Sequence, residues 1–146
     1  LKKLILGKQK TLAEVKMSEQ KSAIREICEK MFSSMIAKDW DSFKECLSDD
    51  VFYRIGSGEE IKGKENVVKT LQGLYTQVEM QAPDIRQVID MPEKDQVIFE
   101  FEAHYKYLED GSTLNFACTD VLRMKDNKVK EWRVYVDMKP YYDKQK

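Results

Sequence analysis

Apolar positions in the first half of the chain recur at helical spacing. Ile24, Ile27, Cys28, Met31, Phe32 and Met35 fall at i, i+3, i+4, i+7, i+8 and i+11, which lines one face of an amphipathic helix. Asp39 stands ahead of Trp40, Phe43 and Leu47 and supplies a cap for a second, shorter helix. Val51 to Ile55 reads as a strand running into a Gly56-Ser57-Gly58 turn. A further stripe of Val67, Leu71, Leu74, Tyr75 and Val78 predicts a third helix starting just after Gly63, and Pro83 closes that segment.

From Val97 onward the period changes from helical to alternating. Phe99, Phe101, Ala103, Tyr105 and Tyr107 share one face of a strand, with Glu100, Glu102, His104 and Lys106 on the other. Asp110-Gly111 signals a two-residue hairpin turn. That turn pairs Tyr107 with Leu114, Tyr105 with Phe116, Ala103 with Cys118 and Phe101 with Asp120. A three-residue loop at Asp126, Asn127 and Lys128 predicts the next hairpin, with Asn127 left-handed. It sets Lys125 opposite Val129, Leu122 opposite Trp132, Asp120 opposite Val134 and Cys118 opposite Val136. Arg123 then faces Glu131 on the outer side, an attractive cross-strand pair. A slip of one residue would expose Trp132, Val134 and Val136 together. The expected architecture is α+β, with three N-terminal helices on the apolar face of a curved antiparallel sheet.

Composition fits one domain of this kind. The chain has 146 residues, 42% of them apolar and 35% charged, enough for a single core beneath a wet surface. Basic and acidic residues nearly balance, 25 against 26, so no global positive field favours nucleic acid. No apolar run reaches the ~20 residues that span a bilayer. Cys28, Cys46 and Cys118 are widely spaced, and there is one histidine. This excludes the usual disulfide scaffold and metal-ligand spacings, and neither metal nor cofactor is expected. Three unpaired thiols suit a reducing, cytoplasmic setting.

Residues 1–17 stand apart as a basic N-terminal extension to a domain of residues 18–146. Lys2, Lys3, Lys8, Lys10 and Lys16 against Glu14 give the first sixteen +4, leaving −5 for the rest. The apolar cluster Leu1, Leu4, Ile5 and Leu6 is too short for a signal-peptide core. An appendage ahead of Met17 is the favoured reading, and a short amphipathic helix docked on the domain or on a partner is the other.

Asp120 is the residue whose placement carries chemistry. The strand alternation sets it inward among Phe116, Cys118, Leu122 and Met124. Burying an unpaired carboxylate costs several kcal/mol, so it must be hydrogen-bonded, protonated or open to a wet cavity. Desolvation raises a carboxyl pKa toward neutrality, where a general acid or base works best. The small Ala103 and Cys118 beside it leave room for a cavity walled by aromatics. The competing reading is a structural Asp bonded to a tyrosine hydroxyl or a backbone group.

Three helices followed by a meander ending in Lys-Val-x-x-Trp-Arg-Val-Tyr-Val-Asp (Lys128 to Asp137) resemble the nuclear transport factor 2-like superfamily. The SnoaL-like and limonene-epoxide-hydrolase-like branches are the most similar. Gly63 through Val78, especially Leu71-Gln72-Gly73-Leu74-Tyr75-Thr76, and Asn127 through Asp137 carry the resemblance, which extends over about residues 18 to 142. It implies a cone-shaped, cystatin-like fold with an apolar interior and a homodimer formed through the outer sheet face. Members include isomerases, dehydratases, cyclases and non-catalytic modules, so the fold alone decides no activity. Set on the epoxide hydrolase site, Tyr53 matches the water-positioning tyrosine. The asparagine falls on Ile55, the arginine on Phe101, and the two aspartates on Ala103 and Val134, so epoxide hydrolysis is not expected. In cyclase and steroid-isomerase-like members an acid/base residue projects into the cone from a late strand, as Asp120 does.

The expected site therefore has Asp120 and Tyr53 as catalytic candidates. Its ligand wall comprises Phe101, Ala103, Tyr105 and Phe116, then Cys118, Leu74 and Trp132, then Val134 and Val136. The ligand is a small hydrophobic molecule, taken up for isomerisation, dehydration or cyclisation, or held without catalysis. His104 lies on the polar face and reads as a solvated or interface residue. No Gly-x-Ser-x-Gly elbow or cysteine–histidine arrangement supports a nucleophile. Ala117, Thr119, Val121 and Tyr135 among charges on the outer face are compatible with the dimer.

Overall fold

The computed structural model describes residues 20–146; the extension and both readings of it lie outside the described residues. Helix α1 (Ala23–Ile36) begins where Ser22 accepts a hydrogen bond from the Arg25 amide. Ser22 also ties the helix start to the sheet, donating from its own N–H and hydroxyl to Asp90 at 2.9 and 2.5 Å. Lys38, at φ 58°, turns the chain sharply, and the Asp39 carboxylate caps α2 (Trp40–Glu45) by accepting from the Ser42 amide. Strand β1 (Leu47–Ile55) follows, then the short β2 (Ile61–Lys62). Gly63, at φ 89°, leads into α3 (Lys64–Leu74).

The third helix is shorter than its apolar stripe. The Tyr75 amide closes it on the Leu71 carbonyl, and the Thr76 hydroxyl donates to Gly73 O at 2.7 Å. This side-chain bond competes with helix continuation. Val78, expected on the helix, instead opens strand β3 (Val78–Met80), opposite Tyr107. Leu74 consequently points outward, 41% exposed. After Pro83 comes a strand that sequence patterning does not reveal, β4 (Asp84–Met91). Most of its residues are exposed, so it lacks the in-out alternation by which strands are recognised.

The long strands β5 (Gln96–Tyr107), β6 (Thr113–Lys125) and β7 (Lys128–Val136) form the expected meander. The sheet order is β2-β1-β7-β6-β5-β3, with β4 also on β5. Among the described residues its one parallel pair is β1 with β7, so the sheet is mixed and curls around the helices. The inner face of β5 is as expected, but its pairing with β6 differs by two residues. Asp120 faces Phe99 rather than Phe101, Cys118 faces Phe101, and Phe116 faces Ala103. The cause lies in the turn. Asp110 does not take positive φ; its carboxylate accepts from the Ser112 amide and hydroxyl, and only Gly111, at φ 69°, is left-handed. The loop therefore spans four residues, Leu108 to Gly111, closed by Tyr107 N–H to Ser112 O.

The second hairpin reaches the expected pairing by another route. Asp126 and Asn127, at φ 51° and 57°, make a two-residue turn with Lys125 opposite Lys128. A bulge between Arg123 and Met124 then absorbs one residue, so Leu122–Trp132, Asp120–Val134 and Cys118–Val136 pair as predicted. Arg123 meets Glu131 at 3.0 Å on the outer face, and Arg133 pairs with the same carboxylate. A short C-terminal helix, α4 (Lys139–Lys144), lays Lys144 over the Tyr107 ring at 3.8 Å. Phe32 of α1 seats the helices on the sheet, with edge-to-face contacts to Phe99, Phe101 and Trp132 at 5.1 to 6.2 Å between ring centres.

Candidate functional site

Asp120 is buried, 2% exposed, at the middle of β6. Its oxygens are not orphaned. The Trp132 indole N–H donates to Oδ2 at 2.9 Å, and the Cys118 thiol donates to Oδ1 at 3.3 Å. The indole reaches it because Trp132 sits one pleat from Val134, the residue directly opposite Asp120. Burial pushes the carboxyl up to about 7, against the opposing effect of the two hydrogen bonds. The same burial, followed by the Asp120 charge, raises the Cys118 thiol far above its ordinary range, so it serves as a donor and not as a nucleophile.

Tyr53 reaches this cluster from β1. Its ring lies 4.6 Å from the Trp132 ring, and it pairs with Trp132 across the parallel ladder. Burial first, and then the Asp120 charge, raise its hydroxyl well above the usual phenol range, so it can only donate or accept a hydrogen bond near neutral pH. Phe101, Ala103, Phe116, Cys118, Trp132 and Val134 are buried with Asp120 in one continuous core. Tyr105 and Val136 pack against its edge, partly exposed. Leu74 alone of the predicted wall stands apart, on the solvent side of α3.

An open groove of about 370 Å³ lies beside this cluster, between α1 and β4. Phe99 and Phe101 form its floor, Phe32 and Ile36 one wall, and Pro83, Ile85 and Val88 the other. Phe101 is its single residue in common with the predicted site, and Asp120 is not among its lining residues. Phe99, which lines the groove, pairs directly with Asp120 across the ladder. The polar rim comes from Arg25, Glu29 and Ser33, one helical turn apart. Glu29 accepts from Arg25 at 3.0 Å and from Lys21 at 2.8 Å. Partial burial opposes its ionisation, but these two cations outweigh it and hold the carboxyl below its usual value. Sequence patterning places Phe32 and Phe99 on apolar faces but gives no strand signal over Asp84–Met91, so it does not reveal the groove. Among the described residues, no group of three His, Cys, Asp or Glu side chains is placed to hold a metal, and no helix is long and apolar enough to cross a membrane.

The curled mixed sheet closed by helices defines an α+β cone of the nuclear transport factor 2-like kind. Residues 28–132 match the model of the SnoaL-like domain, and the chain belongs to that family. No curated protein matches it in sequence. Among solved structures, a proposed polyketide cyclase from Pseudomonas putida KT2440 superposes with a TM-score of 0.75 at 20% identity, covering 85% of this chain and 98% of that one. An epoxide hydrolase of the limonene-epoxide-hydrolase-like group from M. tuberculosis gives 0.70 at 20% identity, covering 83% and 86%. TerC, co-crystallised with polyporic acid, gives 0.72 at 17% identity, covering 84% and 97%. At these identities the likeness is one of fold.

Proposed function

We propose that this SnoaL-like domain binds a small hydrophobic molecule in the groove between α1 and β4, with Asp120 and Trp132 as a structural pair behind its floor. The observation that carries this reading is the groove's make-up: apolar floor and walls with a narrow polar rim, in the size range of small-molecule sites. The aromatic floor suits a flat or alicyclic body. The TerC structure co-crystallised with polyporic acid supports a small-molecule ligand on this fold. Apolar residues at Phe101, Ala103 and Val134 argue against epoxide hydrolysis.

One observation favours a second reading, acid/base isomerisation, dehydration or cyclisation at Asp120. A carboxyl that titrates at about 7 is both donor and acceptor at neutral pH, and Tyr53 is at hand to polarise a carbonyl. The two readings separate in one experiment. A panel of apolar carbonyl and quinonoid compounds is titrated by calorimetry into wild type, Ser33→Trp, which fills the groove from its exposed rim, and Asp120→Asn. Binding weakened more than tenfold by Ser33→Trp and retained in Asp120→Asn supports the groove. Binding indifferent to Ser33→Trp, with turnover lost in Asp120→Asn, moves the site to the inner wall and makes the domain an enzyme.

A further inference from the structure

His104, the single histidine of the chain, sits on the outer face of β5 between two acceptors from neighbouring strands. Its Nε2 lies 2.9 Å from Asp84 Oδ2 of β4 and its Nδ1 lies 2.7 Å from Asn115 Oδ1 of β6. An imidazolium donates to both; a neutral ring has one N–H and can satisfy both contacts only if the Asn115 amide turns round.

The Asp84 end of this bridge lies in a sensitive place. Pro83 and Ile85, its neighbours in sequence, line the groove, so Asp84 is the outward anchor of the groove wall. The backbone ladder is interrupted there. The pairing of β4 with β5 slips between Ile85 and Gln87, and β3 gives way to β4 just before Asp84, with Gln81 N–H donating to the His104 carbonyl at 2.8 Å. Side-chain ties on the outer face therefore do part of the work of a ladder.

We propose that His104 is a proton-operated staple: charged, it fixes the β4 wall of the groove against β5, and neutral, it lets that wall loosen. The proposal rests on the groove being the ligand site. The charged groups around the ring are few. Asp84 comes from β4 and Glu102 from β5, and Glu102 is engaged by Arg86 of β4 at 2.7 Å. Lys106 follows on the same face of β5, with Glu79 of β3 paired opposite it, and β6 presents the neutral Asn115. The hydrogen bonds to Asn115 and then to Asp84 hold the imidazole's proton above its ordinary value. The staple thus has its full charge-assisted strength below about pH 6.5 and is weakened to at most a neutral hydrogen bond as pH rises through that raised value. A wall held in place presents a pre-formed groove, so a bound apolar probe is gripped more tightly in acid.

The test combines backbone hydrogen exchange with dye binding. Amide exchange of residues 84–88, corrected for intrinsic chemistry, and the affinity for 8-anilinonaphthalene-1-sulfonate are measured at about pH 5.5 and about pH 8. Wild type, Asp84→Asn, His104→Gln and Ser33→Trp are compared. Asp120 titrates in the same window, so each is also measured with Asp120→Asn. We expect wild-type protection of this segment to fall about 1.5- to fivefold on going to about pH 8, the scale of an exposed charged contact. The dye should weaken about two- to fivefold in parallel, and both responses should vanish in Asp84→Asn and His104→Gln but survive Asp120→Asn. Protection that ignores pH in wild type, or that responds equally without His104, overturns the staple. If the exchange response follows His104 while Ser33→Trp leaves dye binding untouched, the staple stands and the groove reading is the one that fails. Dye lost in Ser33→Trp with flat wild-type exchange leaves the groove and removes the staple.

Discussion

Asp120 and His104 stand on opposite faces of the same sheet, and both hold a proton more firmly than an exposed group would, for opposite reasons. Asp120 keeps its proton because burial disfavours the carboxylate, despite two donors aimed at it. His104 keeps its proton because Asn115 and Asp84 favour the imidazolium, in a setting where little burial opposes it. On the inner face the protonated form is neutral; on the outer face it is charged. The direction of the shift therefore says nothing about its origin, and the two sites must be told apart by removing their partners.

The largest effect should come from the inner face. Asp120 is raised from 3.8 to about 7. Over that interval the unfolded chain ionises while the folded one remains protonated, so stability falls as pH rises and then levels off. At about 1.4 kcal/mol per unit, the loss between about pH 4 and about pH 7 is on the order of 4 kcal/mol. Asp120→Asn should flatten that slope, as measured by urea denaturation across the range; an unchanged slope would show that some other group carries it. Next in size is Trp132→Phe, which keeps the ring packing but leaves Asp120 Oδ2 without its donor. It should cost about 2–3 kcal/mol at neutral pH and drive the carboxyl still higher, and a loss under about 0.5 kcal/mol would contradict the geometry. The outer face should respond least. Asp84→Asn removes an ion pair whose carboxylate is mostly exposed, so it should change global stability by less than about 1 kcal/mol. The imidazole pKa, followed by NMR, should nevertheless fall toward its ordinary value. A large global loss there would abolish the contrast between the faces.

What could be read in advance divides along the same line. The inner face is written in apolar periodicity, so α1, the alternation of β5 and β6, and the burial of Asp120 are all legible. Its partner was not, because an indole N–H reaching across from Trp132 leaves no trace in periodicity. The register of β5 on β6 differs by two residues from the one a tight Asp110-Gly111 turn implies, because the Asp110 side chain bonds Ser112. The helical stripe places Leu74 inward because periodicity does not announce that the helix ends at Leu74, where Thr76 bonds Gly73. The groove depends on β4, a strand whose mostly exposed residues give no alternating signal, and a site with one unrecognised wall cannot be inferred from the other.

The parallel pairing of β1 with β7 has a consequence for how the chain is made. Val129 donates its amide to the Cys46 carbonyl and Tyr53 pairs with Trp132, contacts that join segments roughly eighty residues apart. Contacts of such long sequence separation raise the contact order and slow folding. On the ribosome, β1 and the apolar faces of α1, α2 and α3 are synthesised well before the strand that completes them. Any truncation short of β7 would leave β1 with a bare edge, and with it a site for misassociation between nascent chains.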